Sequence, residues 1–246
     1  MLKSECYLIR KVLMALCLVM MSTMPPNVVS HESAGNVVLL HGLARTADSM
    51  NSMEKQLSKA GYRVCNIDYP SRKHRIEQLT HNFVIPEIQK CFADPLISIH
   101  FVTHSLGGII VRQIAAENQQ INIGRVVMLS PPNQGSEAVD KLGTWGLFEW
   151  INGPAGKQLG TTENALPRQL GPATFELGVI TGNRSINLIL STLIPGPDDG
   201  KVSIENSKLD GMQDFLLVEQ AHPFIMGNAL VQSQTIHFLK NGYFQK

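Results

Sequence analysis

Ile97-Ser98-Ile99-His100-Phe101-Val102, followed without a break by Thr103-His104-Ser105-Leu106-Gly107-Gly108, is the stretch on which the reading of this chain turns. An apolar run of that length fits a buried strand, and the small residues behind Ser105 fit a tight turn from which a helix starts at once. A serine on such a junction stands exposed above the sheet, as a nucleophile must. Its hydroxyl is weak at neutral pH, so the rest of the chain has to supply a base, an acid to orient that base, and donors for an oxyanion.

Outward from this stretch, strands and helices alternate. Asn36-Val37-Val38-Leu39-Leu40 is a continuous apolar run ending in His41-Gly42, as expected of a strand buried on both faces. Met50, Met53, Leu57 and Ala60 recur at helical spacing, and Gly61 is placed to end that helix in a left-handed cap. Tyr62 to Ile67 resumes a strand. Ile76, Leu79 and Phe83 mark a second amphipathic helix that Pro86 kinks or restarts. Beyond the elbow lie apolar runs at Val126 to Leu129, Glu176 to Ile180 and Phe215 to Val218, and Leu230, Val231, Thr235 and Phe238 suggest a closing helix. Such alternation implies an α/β fold with a mostly parallel central sheet joined by right-handed crossovers and flanked by helices.

Composition narrows the function. The 246 residues fit one domain with a substantial core after the leader, and a net charge of +1 leaves no basic stripe for a phosphate backbone. Nucleic-acid binding is therefore not expected. Residues 1–30 read as an export signal: Lys3, Arg10 and Lys11 precede the uncharged stretch from Val12 to Met21, and Pro25-Pro26 follow. That stretch is shorter than the ~20 residues a membrane span needs, with an uncleaved anchor as the alternative. The expected location is the periplasm or the exterior. Cys65 and Cys91, in the body of the chain, are open to two readings, a disulfide or two buried thiols.

These features together resemble the α/β-hydrolase superfamily, close to the small bacterial lipases and esterases, over nearly everything after the leader. The resemblance implies a chain order of nucleophile, acid, base. Ala221-His222-Pro223 follows the Phe215 to Val218 strand and supplies the base. The Asp199-Gly200-Lys201-Val202 pattern selects Asp199 as the acid, ahead of Asp198, Asp210 and Asp214. Backbone N–H groups of Leu43, behind His41-Gly42, and of Leu106 are the expected oxyanion donors. Thr103, where the motif commonly has glycine, departs from the pattern. Residues 136–173, rich in glycine and proline, read as a cap or lid insertion within a domain spanning 31–246. Trp145, Phe148 and Trp150 there either pack its core or line a substrate pocket.

Other residues have blander readings. His31, His74, His81 and His237 are expected at the surface, His100 in the elbow strand, His104 beside the site and His41 shaping the oxyanion loop. Arg112 and Lys201 are expected to be solvated charges. No histidine or cysteine spacing indicates a metal, and no cofactor is implied. The reading that follows is a serine hydrolase of carboxylic esters acting on a small-molecule or lipid substrate, with transient contact at a lipid surface. Acyl transfer, thioester or amide cleavage, and a non-catalytic binding protein on the same fold are its alternatives.

Overall fold

The computed structural model describes residues 33–117, 121–142, 146–186 and 191–246, with the backbone alone for 146–151. Its centre is a six-stranded, wholly parallel sheet: β1 (Gly35–Leu40), β2 (Tyr62–Ile67), β3 (Ile99–His104), β4 (Ile123–Leu129), β5 (Leu177–Gly182) and β6 (Asp214–Val218), in the order β2-β1-β3-β4-β5-β6. The apolar runs read from the sequence are these strands. They are continuous rather than alternating because helices cover both faces. Val38, Leu40, Phe101, Val126 and Met128 enter one core cluster, while Val37, Leu39, Val102, Val127 and Leu129 enter the other. The family architecture expected from the elbow is therefore present.

Helices flank the sheet. They are α1 (Asn51–Lys59), α2 (Ile76–Leu79), α3 (Ile85–Cys91), α4 (Leu106–Ala116), α5 (Glu137–Leu142), α6 (Gly146–Lys157), α7 (Leu166–Gln169), α8 (Ile204–Ser207) and α9 (Ala229–Asn241). A π-helical stretch, Thr80–Val84, separates α2 from α3, and Pro86 sits in the first turn of α3. The proline thus restarts the helix where its missing N–H leaves nothing unsatisfied. Cys65 of β2 and Cys91 of α3 form a disulfide, which settles the two readings left open by the sequence. With a sequence separation of 26, such a link contributes about 3 to 4 kcal/mol on the loop-entropy account.

The chain order leaves one opening at the carboxyl ends of the strands. β1 runs out to β2 on one side, and the chain then crosses back to β3 on the other, so the loops leaving β1 and β3 diverge at a switch point. Gly107 makes a close passage there possible. A Cβ at this position would lie 2.6 Å from the Leu40 carbonyl oxygen, so only glycine lets α4 start so close to the end of β1.

Arg112 corrects its expected place at the surface. It is buried, 3% exposed, and its guanidinium donates to Asn133 O at 2.7 Å, Pro167 O at 2.6 Å and Gly171 O at 2.8 Å. A planar fork of donors fits three converging carbonyls. Burial lowers its pKa to about 10, still far above neutrality. The side chain thus ties the nucleophile helix α4 to the loop after β4 and to the segment around α7. Arg112→Met is expected to destabilise the protein by about 3 to 5 kcal/mol, because it strands several buried carbonyls. Urea unfolding of the variant checks this, and a loss below about 1 kcal/mol would contradict it.

Candidate active site

Ser105 leaves β3 with φ +51° and ψ −116°, a conformation that a serine adopts only where its surroundings enforce it. Two backbone hydrogen bonds do so. Its N–H donates to Leu129 O at 2.9 Å, and its carbonyl accepts from Gly108 N–H at 3.0 Å. The strand-turn-helix junction read from the sequence is present, but Ser105 is 8% exposed rather than standing open. The loop after β1 covers it: a Cβ on Gly42 would meet Ser105 Cβ at 3.3 Å and His104 Nδ1 at 2.6 Å.

Asp199 and His222 come together as expected. Asp199 is fully buried and His222 3% exposed, and His222 Nδ1–H donates to Asp199 Oδ2 at 2.8 Å. The His222 backbone N–H reaches Asp199 O at 2.9 Å, so main chain and side chain are held together. The other carboxylate oxygen of Asp199 accepts from Lys201 N–H and Val202 N–H, each at 3.0 Å. Burial pushes the Asp199 pKa up, but the His222 charge and hydrogen bond and the Val202 N–H together bring it below the ordinary carboxylate value. A proton on Nδ1 leaves Nε2 with a free lone pair. Among the described residues no hydrogen bond joins Ser105 Oγ to His222. Such contacts are often long in an unliganded site.

Asp198 does different work. Its Oδ1 accepts from Gly200 N–H at 2.6 Å and Ser191 Oγ–H at 2.8 Å, shaping the turn that presents Asp199.

The loop after β1 is locked by His41. The ring is fully buried and stacks on Tyr69 with centroids 4.0 Å apart. Tyr69 N–H donates to His41 Nε2 at 3.3 Å, which places the proton on Nδ1, and Nδ1–H donates to Gly42 O at 2.9 Å. Arg45 N–H adds a second bond to that carbonyl at 3.3 Å, and Ala44 N–H binds the Ser71 hydroxyl at 3.1 Å. In a trans peptide the N–H points opposite the C=O, so fixing Gly42 O fixes the Leu43 N–H. Neither the Leu43 N–H nor the Leu106 N–H has a hydrogen-bond partner among the described residues.

His104 lies between these parts. Its Nε2–H donates to the His222 carbonyl at 3.1 Å, its ring sits 4.8 Å from the His222 ring, and its Nδ1 is buried without a partner. Burial foremost, then the nearby His222, Lys201 and Arg45, hold its pKa well below the ordinary value. His41 is shifted the same way, chiefly by burial. Both rings stay neutral in the native site, while the unfolded chain takes up protons below about pH 6.5. Stability therefore falls as the pH drops below that point. A loss of about 1 to 2 kcal/mol between pH 7.5 and 5.5 is expected from this pair in urea unfolding, and a flat profile would contradict it.

Ser130 escaped the sequence reading. It ends β4 as Ser105 ends β3, with φ +49°, and its N–H binds Ile180 O at 2.8 Å. Its hydroxyl is buried and has no hydrogen-bond partner among the described residues. The only local signal was a serine between an apolar run and Pro131-Pro132. Trp145 and the side chains of Phe148 and Trp150 lie outside the described residues, as does the leader. Of the surface histidines, His81 is exposed, whereas His74 and His237 are half-buried against Phe83 and Tyr243. No group of metal-ligating side chains occurs among the described residues, nor is any of their helices long and apolar enough to cross a membrane.

Known proteins share this architecture. A lipase of Bacillus licheniformis, BlEst2 in mature form, superposes with a TM-score of 0.65 at 21% identity, over 83% of this chain and 91% of that one. A metagenomic carboxyl esterase, MGS0156, does so at 0.58 and 18% identity over 90% and 75%. A bromoperoxidase of Bacillus anthracis matches at 0.56 and 15% over 83% and 91%, so the likeness is one of fold across different chemistries. No curated protein matches the chain in sequence. The family model described as alpha/beta hydrolase fold matches residues 35–169, more than half of the chain, from β1 through the elbow to the end of α7. With the parallel sheet, the strained serine after β3 and the Asp-His pair beyond β5 and β6 in place, this chain belongs to the α/β-hydrolase fold family.

Proposed function

We propose that the protein is a serine hydrolase that cleaves carboxylic esters through an acyl-enzyme on Ser105. The observation that carries the reading is the buried Asp199-His222 pair, whose free Nε2 lone pair shares the carboxyl end of the sheet with a serine held at positive φ. In this reaction Nε2 accepts the Ser105 proton as Oγ bonds to the ester carbonyl carbon. The carbonyl oxygen becomes an oxyanion and takes the N–H groups of Leu43 and Leu106. His222 then gives its proton to the departing alkoxide, and the released alcohol leaves an acyl-serine. Water, deprotonated by His222, attacks that carbonyl, and Ser105 recovers its proton as the carboxylic acid departs.

Hydrolysis of p-nitrophenyl esters from short to long acyl chains tests the proposal. Turnover is expected, with an optimum that ranks esterase against lipase. No turnover at any chain length would contradict it. On the acid side, log(kcat/KM) is expected to fall with a slope of one. Asp199 stays ionised and His104 stays neutral there, so a single protonation silences the site. A slope of two would show a second group titrating.

Export is also part of the proposal. It is supported by the basic-then-apolar leader and by the Cys65-Cys91 disulfide, which suits an oxidising compartment.

A further inference from the structure

His222 is tied to the acid at two points and to the nucleophile strand at one. Its backbone N–H and its Nδ1–H both reach Asp199, at 2.9 and 2.8 Å. Its carbonyl accepts from His104 Nε2–H at 3.1 Å. Among the described residues this is the only hydrogen bond between the elbow, Thr103 to Leu106, and the segment His222–Gly227. Ser105 and His222 make none themselves, so the polar tie between nucleophile and base runs through the neighbouring side chain.

The ring is wedged as well as bonded. It is 2% exposed, and its centroid lies 4.8 Å from that of the His222 ring. On its other edge stands the loop after β1: a Cβ on Gly42 would lie 2.6 Å from His104 Nδ1 and 3.1 Å from Cε1. One side chain thus touches the base and the oxyanion loop, while its backbone leads directly into Ser105. Its chemistry suits that place. A donor is needed toward the His222 carbonyl, and a planar ring has fewer rotamers to lose than a long flexible donor. The donor must also be uncharged, since a cation here would repel the imidazolium that His222 becomes. Burial first and the His222 charge second keep His104 neutral. The arrangement leaves Nδ1 buried without a partner, a penalty that leucine or phenylalanine, filling the same space, would not carry.

We infer that His104 is a positioning residue, which holds the His222 imidazole within proton-transfer reach of Ser105 Oγ by fixing the His222 carbonyl and bracing Gly42. The inference rests on the serine-hydrolase reading for the step it serves. In that step the proton passes from Oγ to Nε2 as the bond to the carbonyl carbon forms. A base free to drift from Oγ slows this transfer and its counterpart in deacylation, without altering how the ester docks. The effect therefore falls on kcat rather than on KM.

His104→Leu and His104→Gln separate the hydrogen bond from the bulk. Glutamine can place an amide N–H where Nε2–H stood, whereas leucine offers no donor. With p-nitrophenyl butyrate, kcat is expected to fall at least about thirtyfold in His104→Leu while KM stays within about threefold, and His104→Gln is expected to recover to within about fivefold of the wild type. A loss that sits in KM, equal kcat in the two variants, or a leucine variant within about threefold of the wild type would overturn the role. Should leucine unfold the protein, His104→Asn, whose shorter amide cannot reach the carbonyl, is held to the same limits.

A second readout does not depend on turnover. The downfield proton of the His222 Nδ1–H to Asp199 bond is recorded by NMR in the wild type and both variants. It is expected in all three, because the dyad keeps its own two bonds and only its approach to Ser105 changes. Its disappearance in His104→Leu would show that the ring supports the dyad as a whole, and would overturn positioning toward Ser105. Failure of the hydrolase reading looks different. The wild type would then turn over no ester with the downfield proton still present, and His104 would have no step to serve.

Discussion

Ser105→Ala is expected to lower kcat/KM for p-nitrophenyl esters by on the order of 10⁵- to 10⁶-fold, because the acyl-enzyme cannot form and only binding and the oxyanion donors remain. The fold should be unaffected. Alanine tolerates the φ of +51° no better than serine does, so the melting temperature should stay near that of the wild type. Ser105→Gly removes the steric penalty of that conformation and should stabilise the protein by about 1 kcal/mol while abolishing activity equally. Stability gained as activity disappears is the signature of strain retained for function. Hydrolysis rates and thermal unfolding of the three proteins check this. A Ser105→Ala enzyme within tenfold of wild type would contradict the assignment.

Asp199→Asn should lower kcat by about 10⁴-fold with its hydrogen-bonded loop intact. An amide presents its NH₂ toward His222 Nδ1, so the imidazole keeps its proton on Nε2, where a lone pair is needed. Asp198→Asn is the control. Asp198 bonds to Gly200 and Ser191 rather than to His222, so its loss should change kcat by no more than a few-fold and act instead on loop stability. Steady-state kinetics of both variants decide the point. Equal losses would mean that the acid has been misassigned.

Much of the fold was legible because its strands are buried on both faces. Val37 to Leu40 and Val126 to Leu129 are fully buried, and a strand with no solvent face has no room for polar alternation. The catalytic candidates were legible for a related reason. Ser105, Asp199 and His222 each sit just beyond a strand or in a turn of defined conformation, and such positions leave local marks: Gly107-Gly108 behind the serine and Gly200-Lys201-Val202 behind the acid.

What escaped the sequence depends on distant partners. Arg112 reads as a surface charge on an amphipathic helix, yet the carbonyls that bury it lie 21, 55 and 59 residues away. Cys65 and Cys91 could be counted but not paired until their Cα atoms were placed 6.2 Å apart.

Covalent labelling of the folded protein with a fluorophosphonate probe, followed by peptide mapping, asks whether Ser105 is an activated nucleophile. The probe reacts only with a serine whose hydroxyl has been activated, and it asks nothing about the natural substrate. A single adduct on Ser105 is expected in the wild type, none in Ser105→Ala and a much slower reaction in Asp199→Asn. Absence of labelling in folded wild type, or equal labelling of Ser105→Ala, would contradict it.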